Sequence, residues 1–262
     1  MERKQKMQCG MPSLIECAGI EENVRLCRKF GLDFIELNMN LPMFQPDELS
    51  RAIDYAQKHG VGITLHADEN LNCMDFSVPV ADAYLSVLID TIQIARECGV
   101  PTVNLHLNRG VYFSLPDRKI FLYDIYRERY LDRVQEMRDR CAEAAGKDVR
   151  VLVENTNGFL PFQKAAIDLL LKSDTFGLTW DIGHSQTAAI DDTSFLLGHL
   201  NRVEHFHIHD VYSGKCHLAL GAGIMDIQRY LALAEKRNAR CVIEIKTAEA
   251  LAQSVEWLRS RV

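Results

Sequence analysis

Short apolar runs alternate with longer amphipathic segments along the whole chain. Runs such as Val151 to Val153 and Cys241 to Ile243 are continuously apolar, as expected of strands buried on both faces. The pattern predicts strands near 12–16, 33–38, 61–66, 101–106, 149–154, 176–181, 203–208 and 240–245. Helical periodicity predicts helices near 20–30, 47–59, 78–98, 120–146, 162–172, 192–200, 226–236 and 248–259. Gly31, Gly60 and Gly99 stand just past three of these helix ends, where a left-handed residue is wanted. Eight strand–helix repeats predict an α/β protein, a single (β/α)8 TIM barrel over residues 1–262. The alternative is a doubly wound open sheet, but its Gly-rich turn after the first strand is missing. The longest insertion, from Leu107 to about Lys119, carries Arg109, Tyr112, Phe113 and Arg118 and is expected to form a lid or wall over a site.

The ends of the strands carry the chemistry. The stretch Thr179-Trp180-Asp181-Ile182-Gly183-His184 ends an apolar run in an acid, then turns at glycine toward a histidine. Alone it reads equally as a helix-capping Asp with a surface His. The same event recurs, however, at Glu36, His66, His106, Glu154, His207 and Glu244. Buried ionised groups need partners, and a shared cation is the most economical one. In a barrel these ends face one mouth, where catalysis sits in this architecture. Strand alternation predicts that only one of His207 and His209 faces the mouth, and His207 is the choice. His199 and His205 read as structural or surface residues, and Trp180 as core. Glu36 reads either as a substrate contact or as a holder of the loop after its strand through backbone N–H groups.

Composition narrows the class. The chain has 262 residues, 47% hydrophobic and 25% charged, an ordinary globular balance with ample length for a core. No uninterrupted apolar run nears the roughly 20 residues of a membrane helix, and the first ten residues lack an apolar signal region. No membrane partner is therefore expected. Eight cysteines without a CxxC pair read as reduced thiols of a cytoplasmic protein. The net charge of −6 argues weakly against a nucleic-acid partner, which wants a basic face.

Five motifs extend the reading: Val-Glu-Asn-Thr at 153–156, Asp-Ile-Gly-His at 181–184, His-Ile-His-Asp at 207–210, Leu-Gly-Ala-Gly at 220–223 and Ile-Glu-Ile-Lys at 243–246. With them the chain resembles the xylose-isomerase-like barrel superfamily, which includes endonuclease IV, ketose epimerases, hydroxypyruvate isomerase and inosose dehydratase. The resemblance implies that Glu154, Asp181, His207 and Glu244 hold a divalent ion (manganese, magnesium or cobalt), and that the two glutamates move a substrate proton. It implies a metal-dependent isomerase or epimerase of a small sugar, sugar acid or sugar phosphate, working through an ene-diolate. Dimers or tetramers are common in similar barrels, so a homo-oligomer is compatible, although the chain shows no interface signature.

Endonuclease IV, with three zinc ions, supplies the alternative: a phosphodiesterase acting at abasic DNA sites. His66 and His106 match its first zinc site together with Glu154, and His184 and His217 match the histidines of its third. These four read as a second metal site or as substrate contacts. Lys215 stands where the third zinc has an acid, and an ammonium cannot ligate. Ala222 likewise replaces a family acid. Glu69 and Asn70 stand where the endonuclease has a base-wedging pair, and Glu69 repels phosphate. A small-molecule substrate is therefore the expectation. Arg109, Lys215 and Lys246 are the candidates to meet an anionic group on it.

Overall fold

A computed structural model describes residues 7–261. Its strands are β1 (Cys9–Pro12), β2 (Phe34–Asn38), β3 (Gly62–His66), β4 (Thr102–His106), β5 (Tyr112–Ser114), β6 (Lys119–Phe121), β7 (Arg150–Glu154), β8 (Phe176–Asp181), β9 (Val203–Ile208), β10 (Asp210–Tyr212), β11 (Lys215–Leu218) and β12 (Arg240–Ile243). Eight of them close a parallel barrel in the order β1-β12-β9-β8-β7-β4-β3-β2. Helices lie between the strands, so the fold is the (β/α)8 barrel that the pattern predicts. Gly31, Gly60 and Gly99 adopt the left-handed conformation past their helices. Thr247 and Asp226 cap the helices Ala248–Arg259 and Ile227–Arg237 by accepting backbone N–H groups.

Helix Val78–Glu97 is long and apolar enough, by length and composition, to cross a bilayer. Its Ala81, Leu85, Leu88, Ile92 and Ala95 are instead buried against the barrel. Each fully buried Leu or Ile on that face contributes roughly 1.5–3 kcal/mol, the pattern of a core helix.

Three predicted elements need correction. The first strand is Cys9–Pro12, not 12–16. Proline ends it, because Pro lacks the N–H to continue a ladder, and Ser13, Leu14 and Ile15 form a loop instead. The segment predicted as one helix over 120–146 is two, Leu122–Ile125 and Arg127–Ala145, broken at Tyr126. The insertion after β4 is not a lid. It folds back as the antiparallel β5–β6 pair, and none of its residues lines the mouth cavity. Arg109 is turned away as well, donating to the carbonyls of Asn157 and Gly158.

Candidate metal centre at the barrel mouth

Parallel registration brings the strand ends level. His106 of β4 pairs beside Glu154 of β7, and Asp181 of β8 beside His207 of β9. Glu244 follows β12 and donates its N–H to Ile208 at 3.0 Å. Ligand-type atoms of Glu154, Asp181, His207 and Glu244 consequently lie within 4.8 Å of one another. Above them opens a cavity of about 450 Å³, whose rim includes Leu14, Ile15, His184, His217 and Lys246. That size suits a small molecule.

The polar groups around the quartet are directional. Glu36 stands below His207 and accepts its Nε2–H at 2.7 Å. With Nε2 donating, a neutral His207 presents its Nδ1 lone pair upward. Nδ1 lies 3.2 Å from Glu154 Oε1 and 3.2 Å from Glu244 Oε2, yet it makes no hydrogen bond, and neither does Glu244 Oε2. Buried polar atoms that face one another without hydrogen-bond geometry are what a cation site leaves when protein alone is considered. The oxygen-and-imidazole donor set fits a borderline or hard divalent ion. Burial opposes charge on Glu154 and Glu244, but His207 holds both carboxyls well below the usual range, and these carboxylates with Glu36 push His207 well above its ordinary value.

A second group shares Glu154. His66 Nδ1 faces the Ala67 carbonyl at 2.9 Å, so Nδ1 must donate. A neutral His66 then turns a lone pair toward Glu154 Oε2, at 3.2 Å. His106 Nε2 lies 3.4 Å from the same oxygen, buried and without a hydrogen bond. Against its own burial, His66 is pushed up to about 9 by Glu154.

Three motifs acquire physical reasons. Asn155 Oδ1 accepts the Asp181 N–H at 2.8 Å and its Nδ2 donates to the Asp181 carbonyl at 2.9 Å, clamping the ends of β7 and β8 together. Asp181 also caps helix Ile182–Thr187, accepting the His184 N–H at 2.6 Å. Asp210 accepts N–H groups from Val211, Gly221, Gly223 and Met225, which shapes the Leu-Gly-Ala-Gly loop. A Cβ on Gly223 would overlap the Asp210 carboxylate.

A profile of the family described as the xylose isomerase-like TIM barrel matches residues 24–261. The chain belongs to this family. No curated protein matches it significantly in sequence. Among solved structures, a D-tagatose 3-epimerase-like protein superposes with a TM-score of 0.78 at 21% identity, covering 97% of this chain and 96% of the other. The 3-keto-D-glucoside 4-epimerase YcjR from E. coli gives 0.75 at 18% identity, covering 97% and 100%. An IOLI protein with a bound zinc atom gives 0.74 at 16% identity, covering 97% of each. These likenesses show the fold, and the chemistry has to be argued from the site itself.

Within the family frame, the placement of each candidate residue is definite. Glu154, Asp181, His207 and Glu244 converge, His66 and His106 join through Glu154, and His184 and His217 line the cavity. Glu36 is at the floor, but it holds side chains rather than a loop's N–H groups: Thr64, Asn104, His205 and His207 surround its carboxylate. Arg109 does not reach the cavity. Lys246 does, and its Nζ is paired with Glu244 Oε1 at 2.7 Å. Lys215 is exposed on β11. Trp180 is core, 1% exposed and stacked on Phe206. His199 pairs with Asp168 away from the mouth.

Two features escaped the sequence reading. Leu14 and Ile15, assigned to a strand, line the cavity. His209, set aside by strand alternation, is fully buried and reaches Asp181.

Proposed function

We propose that this barrel is a divalent-metal-dependent epimerase or isomerase of a small, unphosphorylated sugar. One observation carries the reading: two glutamates from separate strand ends, the buried Glu154 after β7 and the partly buried Glu244 after β12, each approach the same imidazole nitrogen to 3.2 Å beneath an open cavity. Glu154, Asp181, His207 and Glu244 would hold the ion. When bound, it polarises a substrate carbonyl and stabilises the charge that follows proton loss.

The rest is work for side chains. One glutamate takes the proton from the carbon beside the carbonyl, and the substrate passes through an ene-diolate. The other glutamate returns a proton, to the opposite face of that carbon or to its neighbour. Glu36 keeps His207 in the tautomer that faces upward. His217 faces the Glu244 carbonyl with Nδ1 at 3.1 Å and so donates from it, leaving Nε2 as an acceptor for a sugar hydroxyl. Burial pushes this histidine down to about 4, which keeps it neutral. Substrate charge follows from the lining. Among the described residues Lys246 is its only Lys or Arg and already answers Glu244, while Glu69 and Glu154 add negative charge. A phosphate would meet repulsion there.

The direct test is incubation of manganese-loaded protein with a panel of neutral ketoses in D2O. The expected result is one deuterium at the carbon next to the carbonyl, with an epimer or isomer appearing. A metal-loaded protein that exchanges no carbon-bound proton of any ketose contradicts the reading.

A second reading, metal-assisted phosphodiester hydrolysis, is favoured by one observation: Glu154 Oε1 faces His207 while its Oε2 faces His66 and His106, as in a bridged two-ion centre. Against it stand the acidic lining and the exposed Glu69 and Asn70. Metal analysis and an abasic duplex separate the two. One tightly held ion, a weaker second one and no strand cleavage are expected. Two tight zinc ions with specific nicking would favour the hydrolase.

A further inference from the structure

The rings of His184, His209 and His217 cluster beside the quartet, with centroids 4.3 Å apart for His209–His217 and 5.7 Å for His184–His209. Proximity alone suggests a three-histidine ion site. The hydrogen bonds around His209 indicate something else. Its Nδ1 lies 2.9 Å from the backbone N of His217, which can only donate. The Asp210 carbonyl is farther from Nδ1, at 3.3 Å. Nδ1 is therefore an acceptor, and the ring proton sits on Nε2. Nε2 faces both oxygens of Asp181, at 3.1 and 3.2 Å. Neither nitrogen is left for an ion, and the residue is fully buried, away from the cavity.

We infer that His209 is a positioning residue: it donates from Nε2 to orient Asp181 for the cation, and accepts at Nδ1 to hold His217 at the cavity wall. The inference rests on the reading of Asp181 as a cation ligand. Two independent features fit it. His217 has a left-handed backbone, φ 57°, an uncommon state for a residue other than glycine, and its N–H in that state points at His209. Gly183, between Asp181 and His184, lies where a Cβ would overlap the His209 ring. The glycine of Asp-Ile-Gly-His thus makes room for the second histidine of His-Ile-His-Asp.

The two roles can be separated, because a glutamine amide reaches the Nε2 position of histidine and an asparagine amide the Nδ1 position. His209→Gln keeps a donor for Asp181 and loses the acceptor for His217. His209→Asn does the reverse. Manganese binding is measured by calorimetry on wild type and both variants, with circular dichroism confirming the fold and ketose kinetics run in parallel. His209→Asn is expected to weaken manganese binding by about 10- to 100-fold, the range for losing an outer partner of a ligand. His209→Gln is expected to bind manganese within about twofold of wild type, well under that outer-partner loss, while KM rises. Unchanged manganese affinity in His209→Asn overturns the inference and leaves the epimerase reading standing. Equal losses in the two variants also overturn it, since they mean a general packing role. A wild type that binds no divalent ion overturns both.

Discussion

Glu154→Gln and Glu244→Gln are each expected to abolish turnover of the ketose substrate while the barrel stays folded. Positioned acid–base groups contribute about 10²–10⁴-fold each, and each glutamate is also proposed to hold the ion, so the expected loss in kcat lies at or beyond the upper end of that range. Folding survives because glutamine keeps the shape of the side chain. It also lifts a desolvated negative charge from the interior, where Glu154 is 2% exposed. The two residues act as one unit, so the double variant is no worse than the poorer single one. Deuterium exchange distinguishes the two steps: a variant lacking only the returning acid still exchanges the carbon-bound proton, and one lacking the base does not. Near-normal kcat in either single variant rejects the two-glutamate mechanism.

The barrel was legible because its strands are apolar runs bounded by polar residues, and the quartet because each run ends in a ligand-type side chain. What failed did so for local reasons. Cys9-Gly10-Met11-Pro12 is too short and too weakly apolar to outcompete the neighbouring Leu14-Ile15, yet β1 is fixed by its neighbours. Gly10 admits the Phe34 ring, which a Cβ would overlap, and Cys9 pairs in register with Cys241. Glu36 and His205 form an interior polar layer below the mouth, and nothing in a period of two tells an inward residue at the rim from one a layer lower. Arg109 failed because an insertion's cation says nothing about direction. Alternation turns His209 away from the cavity but says nothing of its partners there, Asp181 and the His217 N–H.

Stripping the divalent ion with a chelator is expected to abolish turnover and to lower the melting temperature by about 5–10 °C. Binding to the folded state alone adds about 2.7 kcal/mol when the ion is at one hundred times its dissociation constant, and about 2–4 °C accompany each kcal/mol in a chain of this size. The barrel itself persists without the ion, because His207 sits among Glu36, Glu154 and Glu244 and can answer their charge with a proton. The loss is therefore a shift of one transition, not unfolding, and manganese restores both activity and melting temperature. Asp181→Asn locates the effect. Asn keeps an oxygen to cap helix Ile182–Thr187 but is a much poorer ligand for a hard ion than a carboxylate, so the chelator-induced shift shrinks toward zero in that variant. A variant that melts lower on chelation by as much as wild type means that the stabilising ion binds elsewhere on the protein.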